Sequence, residues 1–234
     1  MNNRILAIIP ARGGSKGVKR KNIRTVAGEP LIYWSIKSAN SSSLLSYTYV
    51  NTDDMEIAEV AKSRGADVLM RPANLAEDKT PMIPVLQYAC REVERLHGKI
   101  DIVVLLQPTA PMRSSEDIDS AIRQFQNNPN VDSLVSVYQV DDCHPSRMYR
   151  LEKEGNGLEK IYSEPAGSLR QDLEPIYHRN GAIYICKRDL LMNEGLLTGI
   201  KPMPYIMSKS NSVNIDDEQD LMVADYLMSM REND

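Results

Sequence analysis

Near the start of the sequence an uninterrupted apolar run, Ile5 to Ile9, is ended by Pro10 and followed by a loop rich in glycine and basic residues. A short apolar run without alternation is typical of a strand buried on both faces of a sheet. Residues 11–24 carry six basic side chains and no acidic one, and the loop contains Gly13, Gly14 and Gly17. Glycines let backbone amides approach an anion, and cations offset its charge. The strand and loop together predict a site for a triphosphate.

Three other interpretations of this loop are weaker. A solvated basic turn is the common alternative, but it does not explain the buried strand or the paired glycines. Nucleic-acid binding is not expected, because the whole chain has a net charge of -4 and lacks basic residues interleaved with aromatic ones. A P-loop is not supported either, because the segment never forms the pattern G-x-x-x-x-G-K-[ST].

The composition fits one large α/β domain with an appendage. The chain has 234 residues, of which 42% are hydrophobic and 26% charged, as in ordinary globular proteins. We expect no membrane span and no signal peptide. The three cysteines are far apart and have no C-x-x-C spacing, so neither zinc nor a disulfide framework is indicated: Cys90, Cys143 and Cys186. These features favour a reducing cytoplasm.

Apolar runs and helical patterns alternate through the first 138 residues. The predicted strands after the first are Tyr47–Asn51, Ala66–Met70, Ile102–Leu106 and Leu134–Val137. The predicted helices begin near Pro30, Asp53 or Asp54, Thr80 and Ser114. This order predicts a mostly parallel sheet with helices on both faces. Ligands bind beyond the carboxyl ends of such strands, where Arg12, Asp53 and Gln107 would emerge.

The pattern changes after Tyr138. Residues 139–179 are polar, with Gly155-Asn156-Gly157 as a turn, and predict an inserted β-hairpin unit. Residues 1–138 and 180–234 would then form the core. In the second part we expect a strand near Gly181–Cys186, a short helix near Arg188, an extended segment at Val213–Ile215 and a final helix from about Glu218 to Met230.

Side chains of the extended segment near the C-terminus suggest a metal site. Asn214 and Asp216 fall on one face of an extended chain, and two oxygen side chains can hold a hard cation such as Mg²⁺. Capping of the final helix by Asp216 or Asp217 is the favoured interpretation when this segment is taken alone.

Several motifs occur in a fixed order over nearly the whole chain. They are Ile9-Pro10-Ala11-Arg12-Gly13-Gly14-Ser15-Lys16-Gly17 with Lys21-Asn22, Asn51-Thr52-Asp53, Arg71-Pro72, Leu105 to Arg113 (LLQPTAPMR), Asn180 to Ile185 and Ile215-Asp216. In this order and spacing the sequence resembles the acylneuraminate cytidylyltransferases, or CMP-sialic acid synthetases. The loop continues with Lys21-Asn22, and this continuation differs from that of the corresponding loop in the related Kdo synthetases.

The resemblance implies a Rossmann-like nucleotidyltransferase fold, with the inserted β-rich segment serving dimerisation. The residues that match the family's contacts to the CTP phosphates are Arg12, Ser15, Lys16, Lys21 and Asn22. Arg71 and Gln107 match its nucleotide contacts. The residues that match the region meeting the sugar acid are Gln107, Arg147, Arg170, Asn180 and Tyr184. Leu196 and Leu197 match an apolar wall contributed across the dimer.

One position departs from the family pattern. Where the family has Asp-x-Asp, this chain has Asn214-x-Asp216, so one of two metal-binding carboxylates is replaced by an uncharged amide. The resemblance implies that Asp216, with Asn214 beside it, holds Mg²⁺, and that Arg12 and Lys21 stabilise charge on the phosphates.

The resemblance predicts an enzyme that joins CMP from CTP to the C2 hydroxyl of a nine-carbon 2-keto sugar acid and releases pyrophosphate. N-acetylneuraminate is the family's default sugar, whereas the loop and Asp78-Lys79-Thr80-Pro81 look more like the branch that activates N,N'-diacetyllegionaminate. Two alternatives remain: a CTP or CMP-sugar binding protein with weak turnover, and a nucleotidyltransferase for another sugar or sugar phosphate. The expected assembly is a homodimer.

Overall fold

The computed structural model describes residues 3–15, 17–140, 143–153, 155–162 and 173–232, without the side chain of Glu232. The strands of these residues are β1 (Ile5–Pro10), β2 (Thr25–Val26), β3 (Glu29–Pro30), β4 (Tyr47–Thr52), β5 (Asp67–Met70), β6 (Ile102–Leu105), β7 (Ser133–Gln139), β8 (Tyr149–Leu151), β9 (Leu158–Lys160), β10 (Tyr177–Lys187) and β11 (Met203–Ile206). The α-helices are α1 (Leu31–Asn40), α2 (Met55–Ser63), α3 (Met82–His97), α4 (Ser115–Gln126), α5 (Arg188–Asn193) and α6 (Glu218–Glu232).

Seven strands form the main sheet in the order β11-β7-β10-β6-β1-β4-β5. Strand β1 pairs in parallel with β4 and β6, and β10 runs antiparallel to both β6 and β7. The prediction of a mostly parallel sheet is therefore confirmed. The carboxyl ends of β1, β4 and β6 lie side by side, which places the loops after these strands at one edge.

Helices cover both faces of the sheet, as the alternation of strands and helices predicted. On β1, Ile5, Ala7 and Ile9 pack in one cluster with residues of α1, α2 and α4, while Leu6 and Ile8 pack in another with α3 and α5. Both sets are almost fully buried. Each buried Leu or Ile side chain stabilises the fold by about 1.5–3 kcal/mol, so this strand is fixed from both sides.

The predicted helix starts are present. Asp54 caps α2 by accepting hydrogen bonds from the backbone N–H groups of Glu56 and Ile57. Ser114 and Asp117 form a reciprocal capping box at α4. Both helices begin just beyond the carboxyl edge of the sheet, so their caps also hold the loops that border the site.

Several elements differ from the sequence-based expectation, which also lacks the short strands β2 and β3. The sequence pattern does not predict strand β11, because Pro204 disfavours a strand except at a sheet edge, which is where β11 lies. Val213–Ile215 joins no sheet; the N–H of Ile215 instead donates to the Thr109 carbonyl over 2.8 Å. Strand β10 begins at Tyr177, ahead of the expected core boundary at residue 180.

The predicted hairpin is present within the described part of residues 139–179. Strands β8 and β9 pair antiparallel, with Leu151 opposite Leu158. Most of the side chains of this hairpin are exposed. Residues 163–172, which include Arg170, lie outside the described part of the chain.

Candidate active site

A cavity of about 470 Å³ opens at the carboxyl edge of the sheet. We call it the first cavity. It is bordered by the glycine-rich loop, by the segment after β5 and by the turn after β6. Its polar lining residues are Arg12, Ser15, Lys21, Asn22, Arg71, Glu77, Asp78, Thr80, Gln107, Thr109 and Asp216. Six of the residues that the sequence predicted for the nucleotide therefore lie around one space, whereas Lys16 lies outside the described residues.

Asp53 anchors the glycine-rich loop to the edge of the sheet. Its Oδ1 accepts from the N–H of Gly13 at 3.3 Å and from the guanidinium of Arg71 at 3.4 Å. Asp53 therefore positions two sides of the first cavity at once. From the sequence, Asp53 is one of two candidate caps of α2 and part of the Asn51-Thr52-Asp53 motif, whereas its link to Gly13 and Arg71 is not predicted.

Two guanidinium groups, those of Arg12 and Arg71, line the first cavity. Arg71 is buried, and its pKa is lowered, first by burial and also by the charge of Arg12, with Asp53 opposing the shift. Its Nε is buried with no hydrogen-bond partner among the described residues. Arg12 contacts the Asp78 carboxylate at 3.1 Å. Two cationic side chains lining one cavity can offset the charge of phosphate oxygens, so this arrangement is suited to a triphosphate.

Lys21 joins the glycine-rich loop to the segment that carries Asp216. Its Nζ donates to the carbonyl of Ile215 at 2.6 Å and to that of Asp216 at 3.3 Å. A Cβ on Gly17 would lie 2.1 Å from the Asp216 carbonyl oxygen, so only glycine permits this approach. Asn22 is buried and donates to the Arg12 carbonyl at 3.0 Å. Loop and segment therefore form one wall of the cavity.

A second cavity, of about 650 Å³, adjoins the first and shares Gln107 and Asp216 with it. Its other lining residues come largely from β10 and from the segment before α6, and they are Tyr138, Tyr177, His178, Arg179, Asn180, Gly181, Tyr184, Ser212, Asn214 and Asp220. The predicted sugar-site residues Asn180 and Tyr184 are thus brought together with Gln107. Burial raises the pKa of Tyr184, which keeps its hydroxyl protonated.

Gln107 lies where the two cavities meet, and its surroundings are close-fitting. Gly181 has φ +74°, and a Cβ there would lie 2.8 Å from Gln107 Oε1. Beneath the turn, the buried Arg113 donates to the carbonyl of Ala182 at 2.6 Å and to Ser35 Oγ at 2.7 Å. Burial lowers the pKa of Arg113 to about 10. Its charge is retained at neutral pH, and it ties the turn after β6 to β10.

Asn180 has a different environment from that expected of a ligand contact. It is 2% exposed, and its side-chain oxygen accepts from Ser136 Oγ at 2.6 Å and from the N–H of Ala182 at 3.1 Å. Its Nδ2 donates to Ser212 Oγ and to the sulfur of Met207. The amide is therefore engaged within the protein and shapes the wall of the second cavity.

Asn214 and Asp216 lie together, as period two predicted. Asn214 Nδ2 donates to Asp216 Oδ2 at 2.8 Å, and the start of α6 is capped separately by Asp217 and Asp220. Among the described residues, no three His, Cys, Asp or Glu side chains come together to enclose a metal ion. Asp216 lines both cavities and Asn214 lines the second, and a carboxylate beside an amide oxygen fits Mg²⁺, which usually binds one or two carboxylates together with substrate phosphates.

Other predicted residues lie apart from the two cavities. Among the described residues, Arg147 is exposed in a short 3-10 helix and lines neither cavity. Leu196 is exposed, and Leu197 packs against the protein's own core cluster around α3 and α5. Their predicted roles at the sugar site and across a dimer remain predictions. None of the described helices has the length and apolarity to cross a membrane.

The sequence matches the Cytidylyltransferase family profile over residues 6–200. It is 35% identical to the "post-translational flagellin modification protein B" of Campylobacter coli, covering 96% of this chain and 94% of that protein. It is 34% identical to the CMP-N,N'-diacetyllegionaminic acid synthase of Legionella pneumophila, covering 98% of each. It is 32% identical to an N-acylneuraminate cytidylyltransferase of Escherichia coli, covering 96% of this chain but about half (52%) of that relative.

Solved structures show the same fold at low sequence identity. A CMP:2-keto-3-deoxy-manno-octonic acid synthetase complexed with CTP superposes with a TM-score of 0.76 at 18% identity, covering 98% of this chain and 100% of that one. A 4-diphosphocytidyl-2C-methyl-D-erythritol synthase from Anaerococcus prevotii gives a TM-score of 0.62 at 9% identity, covering 97% and 99%. The expected Rossmann-like nucleotidyltransferase fold is confirmed, and the chain belongs to the cytidylyltransferase family.

Proposed function

We propose that this protein transfers the cytidylyl group of CTP to the C2 hydroxyl of a nine-carbon 2-keto sugar acid and releases pyrophosphate. The observation that carries the proposal is the meeting of two cavities at Gln107 and Asp216. A transferase must bring a donor and an acceptor together at one point. The names of the relatives, which are CMP-sugar synthases, supply the chemical class of both.

The first cavity suits the triphosphate of CTP. Arg12 and Lys21 would neutralise charge that builds up on the phosphates as the bond to pyrophosphate breaks. Ser15 and Asn22, with Lys16, would complete the phosphate contacts. Arg71 and Gln107 would contact the nucleotide. The guanidinium groups of Arg12 and Arg71, which line this one cavity, support the assignment, because cations offset the charge of phosphate oxygens.

The second cavity suits the acceptor. Tyr184 offers a protonated hydroxyl, and Gln107 offers an amide at the junction with the donor site. Asn180 would act by fixing the cavity wall. Arg147 and Arg170 belong to the proposal as further contacts to the sugar acid, supplied from the inserted segment.

Mg²⁺ is the metal that we propose for this site, held by Asp216 and by the side-chain oxygen of Asn214. When bound with the triphosphate, Mg²⁺ would supply Lewis-acid stabilisation of the phosphate charge. The protein's own contribution is positioning: Lys21 and Gly17 hold the Asp216 segment against the glycine-rich loop. In the transfer itself, O2 of the sugar acid bonds to the α-phosphorus, its hydroxyl proton passes to solvent, and the bond from the α-phosphorus to the oxygen that bridges to the β-phosphate breaks, so that pyrophosphate leaves.

We also propose a homodimer that forms through the hairpin of β8 and β9. Leu151, Leu158 and Tyr162 are 64%, 65% and 53% exposed, which is unusual for apolar side chains grouped on one small element. Light scattering should give twice the chain mass for the wild type, and L151E should lower the measured mass towards that of the monomer.

We propose a cytoplasmic location as well, supported by three cysteines that are all free thiols.

The function is tested by pyrophosphate release from CTP and Mg²⁺ with N-acetylneuraminate and N,N'-diacetyllegionaminate in parallel reactions. We expect release that depends on the sugar acid, and the preferred sugar identifies the branch. An eight-carbon 2-keto sugar acid serves as the control for acceptor size. Release without any 2-keto acid, or only with a sugar phosphate, would replace this function with transfer to another acceptor.

Asn214 favours one second candidate, a CTP or CMP-sugar binding protein with weak turnover. It replaces a charged metal ligand with a neutral one, which lowers the attraction for a divalent cation. This candidate predicts CTP binding by calorimetry together with no pyrophosphate release from either sugar acid.

A further inference from the structure

Arg179 lies on the wall of the second cavity and has no assigned role. It is exposed, and within the described residues its side chain donates no hydrogen bond and forms no ion pair. Apart from His178, it is the basic residue among those that line this cavity, and the acidic lining residues are Asp216 and Asp220. An anionic acceptor entering this space would therefore meet two carboxylates and one guanidinium.

A bulge in β10 turns Arg179 towards the same side as Tyr184. The two residues are five positions apart, so a regular strand would place them on opposite faces. On β7, however, their pairing partners are Val137 and Val135, which are two positions apart and therefore on one face. The register shift places the additional residues of β10 between Arg179 and Tyr184, so the Arg179 side chain lies on the same face as that of Tyr184.

The electrostatics agree with this placement. The charge of Arg179 lowers the pKa of Tyr184, against the larger effect of burial, which raises it. The guanidinium is therefore close enough to act on a hydroxyl inside the second cavity. The two carboxylates have other partners: Asp216 accepts from Asn214, and Asp220 accepts from the N–H groups of Asp216 and Asp217.

We propose that Arg179 binds the C1 carboxylate of the sugar acid and so selects acidic acceptors. This proposal rests on the proposed function. A planar guanidinium can bind a carboxylate through two parallel hydrogen bonds, which a lysine cannot reproduce. Arg147 and Arg170 then remain proposed contacts to other parts of the sugar acid.

The test compares R179Q and R179K with the wild type in pyrophosphate release. We expect the KM for the sugar acid to rise about tenfold or more in R179Q, because hydrogen bonds to charged groups are among the stronger ones. The KM for CTP should stay unchanged, and R179K should recover part of the loss. R91Q removes an exposed arginine from α3, away from both cavities, and is the matched control for the loss of one charge.

A second measurement separates the carboxylate from the rest of the sugar. Binding of the sugar acid and of its C1 carboxamide is titrated calorimetrically in the presence of CMP. The wild type should prefer the acid, and R179Q should bind both about equally. An unchanged preference in R179Q, or a loss that appears in R147Q instead, would overturn the assignment of Arg179 alone. Folded wild-type protein that binds CTP but neither sugar would overturn it together with the proposed acceptor.

Discussion

The ammonium group of Lys21 donates a 2.6 Å hydrogen bond to the backbone carbonyl of Ile215, which lies 194 residues further along the chain. This bond closes the glycine-rich loop onto the segment that carries Asp216. Lys21 therefore has two tasks in the proposed enzyme: it offers positive charge to the triphosphate, and it holds a proposed metal ligand in place.

We expect Lys21→Met to lower kcat/KM by about 100-fold or more, the usual cost of removing one donor that stabilises transition-state charge. The free energy of unfolding should change by less than about 1 kcal/mol, because the side chain is only partly buried. Initial rates and urea denaturation measure the two quantities. Lys19 is an exposed lysine in the same loop, so Lys19→Met is the control and should retain nearly full activity. Equal losses of activity in both variants would mean that only the total charge of the loop matters.

Gly17→Ala should separate the loop from the Asp216 segment. The added Cβ would lie 2.1 Å from the Asp216 carbonyl oxygen, whereas a Cβ on Gly14 meets no atom within 4 Å. We expect Gly17→Ala to cost about 1–3 kcal/mol of unfolding free energy and most of the activity, because backbone must move. Gly14→Ala should stay within about 0.5 kcal/mol of the wild type. Thermal unfolding and pyrophosphate release are measured for both variants. Equal stability of Gly17→Ala and Gly14→Ala would contradict the close approach of Gly17 to the Asp216 carbonyl.

The sequence predicted the parts of this fold that depend on local pattern. The apolar run at Ile5–Ile9, the capping residues Asp54 and Ser114, and the apolar face of α3 all follow from burial or hydrogen bonding within a few residues. The ordered motifs also predicted residues that lie together, since six of those proposed to contact the nucleotide line the first cavity.

What the sequence could not predict depends on contacts between distant segments. The Asn180 amide forms hydrogen bonds with Ser136, Met207 and Ser212, and these partners cannot be predicted before the pairing of β7 with β10 is known. The bulge that puts Arg179 beside Tyr184 is a property of strand register, not of composition. Strand β11 is not predictable from its sequence, because its proline is tolerated only in an edge strand and the edge strands are known only from the assembled sheet.

Gly181→Ala tests the fit around Gln107. Residue 181 has φ +74°, and its added Cβ would lie 2.8 Å from Gln107 Oε1. Gly195 has φ +67° with no atom within 4 Å of an added Cβ, so Gly195→Ala carries similar backbone strain without the clash. Both variants should lose about 1–2 kcal/mol of unfolding free energy, and only Gly181→Ala should also lose activity by tenfold or so. Full activity in Gly181→Ala would argue against a role for Gln107 at the junction.

Stability should fall in acid partly through Asp54. Burial raises the pKa of this carboxyl, but hydrogen bonds from the N–H of Ile57 and from Arg20 outweigh that effect and leave the pKa below its usual value of 3.8. A carboxyl with a lowered pKa in the folded state stabilises the protein above its unfolded pKa, and this stabilisation is lost as the pH falls through the folded value.

Asp54→Asn keeps an N-cap but removes the charge that pairs with Arg20. The wild type should therefore be the more stable of the two at pH 7, and the difference between their melting temperatures should shrink as the pH falls below about 4. Calorimetry at pH 7, 5, 4 and 3 measures this difference. A gap that stays constant over the whole range would show that the ion pair with Arg20 contributes nothing through ionisation.

Asn214→Asp should restore the second carboxylate and strengthen metal binding. Without a metal, the hydrogen bond that Asn214 donates to Asp216 would be replaced by repulsion between two carboxylates. We therefore expect the variant to be less stable than the wild type in EDTA. In Mg²⁺ the two charges would share one cation, so half-maximal activity should be reached at a several-fold lower Mg²⁺ concentration. Mg²⁺ titrations of pyrophosphate release and of the melting temperature measure both effects.

Asn211→Asp adds the same charge nearby, outside both cavities, and should leave the Mg²⁺ requirement unchanged. If Asn214→Asp also leaves it unchanged, position 214 is not a metal ligand, and Asp216 alone would hold the cation with the phosphates.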